Sequence, residues 1–123
     1  MSEKRVLVPG PDHPITITPA DTTVAVRFGD RLIAKTDDAL VLRESTYPPV
    51  YYLPLDAVDG DVLQWSAHAT YCPYKGDASY YSLRDGDNHS QNAVWSYLEP
   101  YDAVAEIAGR VAFYPDRVDI SVD

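Results

Sequence analysis

Short runs of alternating apolar and polar residues, separated by turn-forming residues, constrain the fold of this chain more than any other feature. Residues 15–18 alternate in this way, and residues 22–28 carry Val24, Val26 and Phe28 at every second position. The same pattern resumes at 31–36, after a Gly-Asp pair. Alternation with a period of two is typical of half-buried strands, and the Gly-Asp pair between two such runs predicts a β-hairpin.

Later parts of the sequence repeat this arrangement. A short strand is predicted over 50–53, because the two prolines before it disfavour a helix. Residues 78–83 and 93–98 predict a second hairpin, since the turn-forming run 85–88 lies between them. With about eight short strands at regular spacing, the chain is predicted to be all-β with minor α: a single antiparallel domain of the sandwich or rolled-sheet kind.

Two segments depart from the strand pattern. Residues 1–14 carry Pro9, Gly10, Pro11 and Pro14 and little periodicity, so we expect an extended N-terminal arm over 1–13 before a single β domain over 14–123. Residues 102–108 favour one short helix, with Asp102 as its N-cap and Gly109 as its stop.

The charge of the chain limits its partners. Its 10 Lys and Arg against 19 Asp and Glu give a formal net charge of −9, which repels phosphate backbones and anionic lipid surfaces. We therefore expect neither nucleic acid nor a membrane as partner. Residues 1–10 do not have the charged-then-apolar pattern of a leader, and no apolar run approaches about 20 residues, so we expect neither secretion nor membrane insertion. The single cysteine cannot form an internal disulfide. The cytoplasm is the expected compartment.

Several separated motifs carry a family resemblance. The run 72–81 (CPYKGDASYY) is followed by 92–97 (NAVWSY) and by 111–114 (VAFY). Upstream, Glu44 and the run 48–54 (PPVYYLP) fit the same pattern. In this order the motifs closely resemble domain-of-unknown-function family four-two-seven, which is also labelled nucleotidyltransferase family nine.

The resemblance covers roughly 14–120 and implies a small, mostly β domain. Structural classifiers compare this family with the β-tent folds, which include methionine sulfoxide reductase B and the zinc-binding yippee-like proteins. Zinc β-tents use two Cys-x-x-Cys pairs, whereas this chain has Cys72 alone, so we expect no metal site and no cofactor. The nucleotidyltransferase label is only a name here, because the paired acids of 85–87 lie in a predicted exposed turn.

The loop after Cys72 is the first candidate for a ligand-binding element. Gly76 would let the backbone turn or a ligand approach closely, and Lys75 with Tyr74 could hold a carboxylate, phosphate or carbonyl oxygen. The alternative is an ordinary lysine on a solvated loop. Cys72 could act as a nucleophile if Lys75 stabilises its thiolate, although a packed thiol is the more common outcome. His68 is the nearest candidate base, but four residues of strand span about 13 Å.

Glu44 is the second candidate. Because side chains alternate along a strand, Glu44 shares a face with Leu40 and Leu42 and should point inward with them. An inward carboxylate needs a partner, for which Lys75 or a tyrosine hydroxyl is the obvious choice. The result would be a structural ion pair or an acid/base group.

These residues together give the leading functional prediction. Tyr52 and Trp95 could wall a pocket for a small molecule, with further aromatic residues from the set Trp65, Tyr80 and Tyr97, although aromatic strand residues also pack ordinary cores. We expect binding in a pocket formed by the Cys72–Lys75 loop, Glu44 and these aromatics. One alternative is an enzyme that uses a Cys72 thiolate, with Lys75 and Glu44 as the other catalytic candidates. Another is a structural module that forms a homodimer through tyrosine-rich faces.

Overall fold

A computed structural model describes residues 5–123, which form ten strands in three antiparallel sheets. The strands are β1 (Ile15–Pro19), β2 (Val24–Phe28), β3 (Arg31–Thr36), β4 (Leu40–Glu44), β5 (Val50–Tyr52), β6 (Leu63–Cys72), β7 (Gly76–Asp85), β8 (Asn88–Ser96), β9 (Val111–Phe113) and β10 (Asp119–Val122). None of the three sheets closes on itself. The prediction of a mainly antiparallel β fold is confirmed.

The strands follow the orders β1-β4-β5, β10-β2-β3 and β6-β7-β8-β9. Both predicted hairpins are present, β2–β3 around Gly29-Asp30 and β7–β8 where Asp85 faces Asn88. β9 and β10 lie in different sheets, since β9 pairs with β8 and β10 pairs with β2. Strand pairing thus joins the last strand to one of the first.

One contact between sheets matters for the site. Leu53, directly after β5, exchanges two backbone hydrogen bonds with Val111 of β9, with N···O distances of 2.8 and 2.9 Å. This bridge joins the sheet β1-β4-β5 to the sheet β6-β7-β8-β9. As a result Tyr52 of β5 lies against Trp95 of β8, with ring centroids 6.4 Å apart.

The single helix predicted over 102–108 has a different form. Asp102–Ile107 is 3₁₀-helical and interrupted at Val104, whose φ of −128° and ψ of 30° are not helical. Tyr101 rather than Asp102 precedes the first turn, and no side chain caps it. Val104 and Ile107 are both fully buried. In so short a segment their packing outweighs the hydrogen bonds of a regular α-helix, which is costly to nucleate.

Part of the predicted N-terminal arm is described. Residues 1–4 lie outside the described residues, and 5–9 have no regular secondary structure. The amide of Leu7 donates to the carbonyl of Pro73 over 2.9 Å, and the Tyr71 hydroxyl donates to the carbonyl of Arg5 over 2.6 Å. The described arm therefore runs along the loop that carries Lys75.

Two apolar clusters fill the interior of the described chain. The larger lies among the hairpin β2–β3, β8 and β9. The smaller brings together Leu42, Tyr52, Tyr80, Tyr97 and the buried residues of the 3₁₀ segment. This smaller cluster forms the base of the candidate site.

Candidate functional site

A buried ion pair lies at the centre of the site. The Lys75 Nζ is 2.6 Å from one oxygen of Glu44, and the His13 Nε2 is 2.7 Å from the other. The side chains of Lys75, Glu44 and His13 are only 10, 13 and 23 % exposed. Glu44 thus has the lysine partner that the sequence predicts and a second partner that it does not.

Strand pairing places the carboxylate. β1 and β4 pair so that Ile15 faces Glu44, and His13 precedes Ile15 by two residues, which brings its ring beside the end of β4. Leu42 and Glu44 both line one cavity, as the two-residue period of a strand predicts.

A tight turn places the lysine. The Lys75 amide donates to the Cys72 carbonyl over 3.2 Å, and the Lys75 carbonyl accepts from the Tyr101 amide over 3.0 Å. Gly76 follows with a φ of +112°, which is accessible to glycine and strained for other residues. The backbone is thereby held on both sides while the side chain points toward Glu44.

Two opposing effects set the charge of Glu44. Burial raises its pKa, while the hydrogen bonds from Lys75 and His13 lower it, and the net effect holds the pKa below its ordinary value of 4.5. Glu44 is therefore a carboxylate at neutral pH, and both of its oxygens are already hydrogen-bonded.

A partly enclosed cavity of about 220 Å³ opens beside the ion pair. Glu44 and Lys75 form its polar end, and Leu42, Pro48 and Val50 add apolar surface. The remaining lining is entirely aromatic: Tyr47, Tyr52, Tyr80, Trp95, Tyr97 and Tyr114. Four of the predicted site residues, Glu44, Tyr52, Lys75 and Trp95, therefore share one cavity.

Several donors in this cavity have no acceptor among residues 5–123. The Trp95 indole donates to the Tyr52 hydroxyl over 3.2 Å, which leaves the proton of that hydroxyl unused. The Tyr97 hydroxyl has no hydrogen-bond partner in the described chain, although Tyr97 is only 7 % exposed. Burial raises the pKa of both tyrosines, so both remain neutral donors.

Lys75 adds another donor. An ammonium group carries three protons, and Lys75 Nζ contacts the Glu44 oxygen and, at 3.6 Å, the Cys72 sulfur. One N–H is left without a protein partner among the described residues. The cavity thus offers three donors, while the carboxylate beside it is already occupied.

A second tyrosine pair borders the cavity. The Tyr80 hydroxyl lies 2.9 Å from the Thr70 hydroxyl and 3.4 Å from that of Tyr114. Burial, followed by the hydrogen bond with Tyr80, raises the pKa of Tyr114 to about 12. The Tyr114 ring also packs on Trp95, with centroids 4.6 Å apart, so this pair fixes one wall of the cavity.

Three predicted site residues, Cys72, Tyr74 and Gly76, do not line the cavity. Cys72 is half-buried and packs against the smaller core cluster. Tyr74 stacks on His13, with centroids 4.1 Å apart and planes 9° from parallel. Gly76 faces the backbone of Glu99 and Pro100. All three support the residues that carry the ion pair.

Trp65, a possible pocket wall in the sequence prediction, and His68, the nearest candidate base for Cys72, do not line the cavity. Trp65 is 61 % exposed and contacts Tyr81. The His68 ring contacts the Tyr80 ring at 4.6 Å.

The sequence prediction missed His13, Tyr47 and Tyr114. The only signal for His13 is its position just before the first strand, and its role depends on β1 pairing with β4, which no local pattern specifies. Tyr114 lies within the motif 111–114, whose neighbours in the fold no local pattern specifies.

Three observations within 5–123 concern metal, nucleotide and membrane sites. No group of three or more His, Cys, Asp or Glu side chains in this range is arranged to hold a metal ion. Asp85 of the Asp-Gly-Asp turn pairs with Arg31 at 3.0 Å. The described residues also contain no helix of the length and apolarity needed to span a membrane.

Comparison with known proteins identifies the family. No curated protein matches the chain. A family profile described as Domain of unknown function (DUF427), and labelled NTP_transf_9, matches residues 16–123. The matched range includes Glu44, Tyr52, Lys75 and Trp95, whereas His13 lies just before it. The resemblance found in the sequence is thereby confirmed, and the chain belongs to the DUF427 family.

Proposed function

We propose that this domain binds a small molecule through a hydrogen-bond acceptor, a carboxylate or a carbonyl oxygen, placed beside Lys75 in the cavity. The observation that carries the proposal is the surplus of donors. The Tyr97 hydroxyl, the Tyr52 hydroxyl proton and one Lys75 N–H face a cavity in which Glu44, the only carboxylate contributed by residues 5–123, already accepts from two protein groups.

Among residues 5–123 only the Thr22 hydroxyl is fully buried without a partner, so the donors of the empty cavity still reach solvent. A ligand oxygen replaces water at these donors, and a hydrogen bond to a charged acceptor contributes about 1.5–3 kcal/mol. Lys75 adds an electrostatic attraction for an anionic group, which the Glu44 carboxylate 2.6 Å away offsets in part, and Glu44 orients the ammonium group. When a ligand is bound, the aromatic walls shield these interactions from water and strengthen them.

Calorimetry tests this proposal with two probes of similar shape, benzoate and benzylamine. A cavity of about 220 Å³ accommodates such rings, since cavities of about 150 Å³ bind benzene. We expect benzoate to bind and benzylamine not to bind, because benzylamine brings a further donor and a positive charge. Equal binding of the two probes would refute the proposal.

Tyr97→Phe is the most informative variant, because its hydroxyl contributes no hydrogen bond to the fold of the described chain. Loss of one hydrogen bond to a charged group, about 1.5–3 kcal/mol, should weaken benzoate binding roughly tenfold to a hundredfold. Tyr81→Phe is the matched control, since Tyr81 does not line this cavity. Unchanged affinity in Tyr97→Phe would remove the main support for the site.

A second candidate function is catalysis by a Cys72 thiolate. The contact of 3.6 Å between the Lys75 Nζ and the Cys72 sulfur favours it. It predicts rapid alkylation of Cys72 by iodoacetamide at neutral pH, and loss of this reactivity in Lys75→Ala. If alkylation stays slow until the protein is unfolded, catalysis by a Cys72 thiolate is refuted and ligand binding remains as the proposed function.

The remaining alternatives have equally direct tests. A homodimeric interaction module predicts association that depends on concentration in sedimentation experiments. Nucleotide transfer predicts magnesium-dependent binding of ATP or GTP, which calorimetry would detect. The acidic composition and the single cysteine are compatible with the cytoplasm, which remains our proposed compartment.

A further inference from the structure

A second, apolar concavity adjoins the donor-rich cavity. It encloses about 540 Å³ and shares five residues with the cavity: Glu44, Tyr47, Pro48, Val50 and Trp95. Its other lining residues come from three separate stretches of chain: Pro49, Tyr51, Phe113, Pro115, Ile120 and Val122. We call this second concavity the apolar groove.

The apolar groove differs from the cavity in chemistry. Within the described part of the chain, Glu44 is the only charged residue in its lining, and both oxygens of Glu44 already accept hydrogen bonds from Lys75 and His13. The groove therefore presents mainly rings, prolines and aliphatic side chains. Such a surface favours an apolar occupant.

The volumes of the two spaces favour a ligand that extends through both of them. Ligand pockets usually enclose about 300–1,000 Å³, and the donor-rich cavity alone has about 220 Å³. With the adjoining groove of about 540 Å³ the combined space falls within the usual range. Trp95 and Val50 line both parts, so one molecule could occupy them together.

We propose that the ligand is an amphipathic carboxylic acid, with its carboxylate in the donor-rich cavity and its apolar chain along the apolar groove. This inference rests on the proposed function. A carboxylate fits the head position because its two oxygens accept up to about four hydrogen bonds. This number covers the three donors of the cavity, from Tyr52, Tyr97 and Lys75.

The chain position follows from burial of apolar surface. Each methylene buried in the groove contributes the free energy of its removal from water, which corresponds to a roughly three- to fourfold gain in affinity. A polar or charged chain would lose its hydration without finding partners in the groove.

Calorimetry with a series of straight-chain acids tests the inference on the full chain. We expect octanoate to bind about a hundredfold more tightly than butanoate, from four additional methylenes. Octylamine, with the same chain and an opposite charge, should bind far more weakly than octanoate. Equal affinity for butanoate and octanoate would overturn the inference.

Substitutions at two equally exposed residues test where the apolar chain of the ligand lies. Val122 lines the apolar groove and Leu32 does not, and both are 42 % exposed. Val122→Asp should weaken octanoate binding on the order of tenfold and leave butanoate unaffected, whereas Leu32→Asp should change neither. If Val122→Asp does not fold, Pro115→Asp in the exposed turn of the same groove replaces it. An unchanged octanoate affinity in a folded groove variant would refute this placement.

The outcomes separate this inference from the proposed function. If butanoate and octanoate bind equally and Tyr97→Phe weakens the binding of both, the carboxylate site in the donor-rich cavity is supported, and the placement of the ligand's apolar chain in the groove is refuted. If octylamine and octanoate bind with equal affinity, the proposed carboxylate site in the donor-rich cavity is also refuted. If a second copy of this chain covers the groove, sedimentation will show a dimer that Val122→Asp dissociates, and this result would overturn the inference.

Discussion

The ion pair between Lys75 and Glu44 leads to a prediction about folding stability. Glu44→Leu removes the carboxylate and leaves the Lys75 ammonium, whose side chain is 10 % exposed, with the Cys72 sulfur as its remaining partner in the described chain. Removal of one member of a buried pair typically costs about 3–5 kcal/mol of unfolding free energy. That is a large part of the roughly 5–15 kcal/mol that stabilises a typical domain.

Substitution of the lysine instead of the glutamate should cost less unfolding free energy. Lys75→Met leaves Glu44 hydrogen-bonded to His13 at 2.7 Å, so we expect a loss of about 1–3 kcal/mol. The double variant contains no unpaired buried lysine, and replacement of a buried ion pair by apolar residues is often close to neutral. It should therefore be more stable than Glu44→Leu alone. Because the two single losses together are about 4–8 kcal/mol, the coupling energy should be of that order.

Urea unfolding followed by tryptophan fluorescence measures all four proteins of this cycle. The exposed pair Arg31–Asp85, with side chains 37 and 36 % exposed, provides the control cycle. Its coupling should stay below about 1 kcal/mol. If the coupling energy of the Lys75–Glu44 cycle were zero, or no larger than that of the control cycle, the pair would behave as an exposed ion pair. The argument for a preorganised site would then fail.

Three further predictions concern protonation and backbone strain. Because the folded pKa of Glu44 lies below 4.5, its contribution to stability is present above that pH and is lost as the pH falls through the folded pKa. Wild type should therefore lose unfolding free energy more steeply than Glu44→Gln between about pH 5 and 3, and parallel slopes would contradict this. Absorbance titration of the native protein should show that Tyr52 and Tyr97 do not ionise near pH 10, so Tyr97→Phe should leave the amplitude of that step unchanged; a smaller step would place the Tyr97 phenol in water. Gly76→Ala should cost about 1–3 kcal/mol in urea unfolding, because its φ of +112° is strained for alanine. Gly86→Ala, in an open turn at a φ of +60°, should cost less, and equal losses would refute the argument from strain.

Local parts of the fold could be predicted from the sequence. The hairpin β2–β3 follows from alternation on both sides of Gly29-Asp30, and β7–β8 follows from a turn signal between two aromatic runs. Each of these depends on residues that are neighbours in the chain. The segment 102–108 was harder, because its composition favours a helix while burial of Val104 and Ile107 decides its conformation.

The site was predictable only in part for the same reason. An inward carboxylate at Glu44 follows from strand periodicity, and its need for a partner follows from the cost of burial. Lys75 could be named because it is one of few cations next to a permissive glycine. His13 could not be named, since it reaches Glu44 only through the pairing of β1 with β4. The sequence could not indicate which of two adjacent aromatic residues would face the cavity.

The pairing of β10 with β2 has a consequence for the order of folding. These strands come from opposite ends of the domain, so their contact closes a long loop, which is slow compared with hairpin formation. Ile120 and Val122 of β10 also form one side of the apolar groove. We therefore expect refolding to build the hairpins first and the groove late, with ligand affinity recovering only in the slowest kinetic phase.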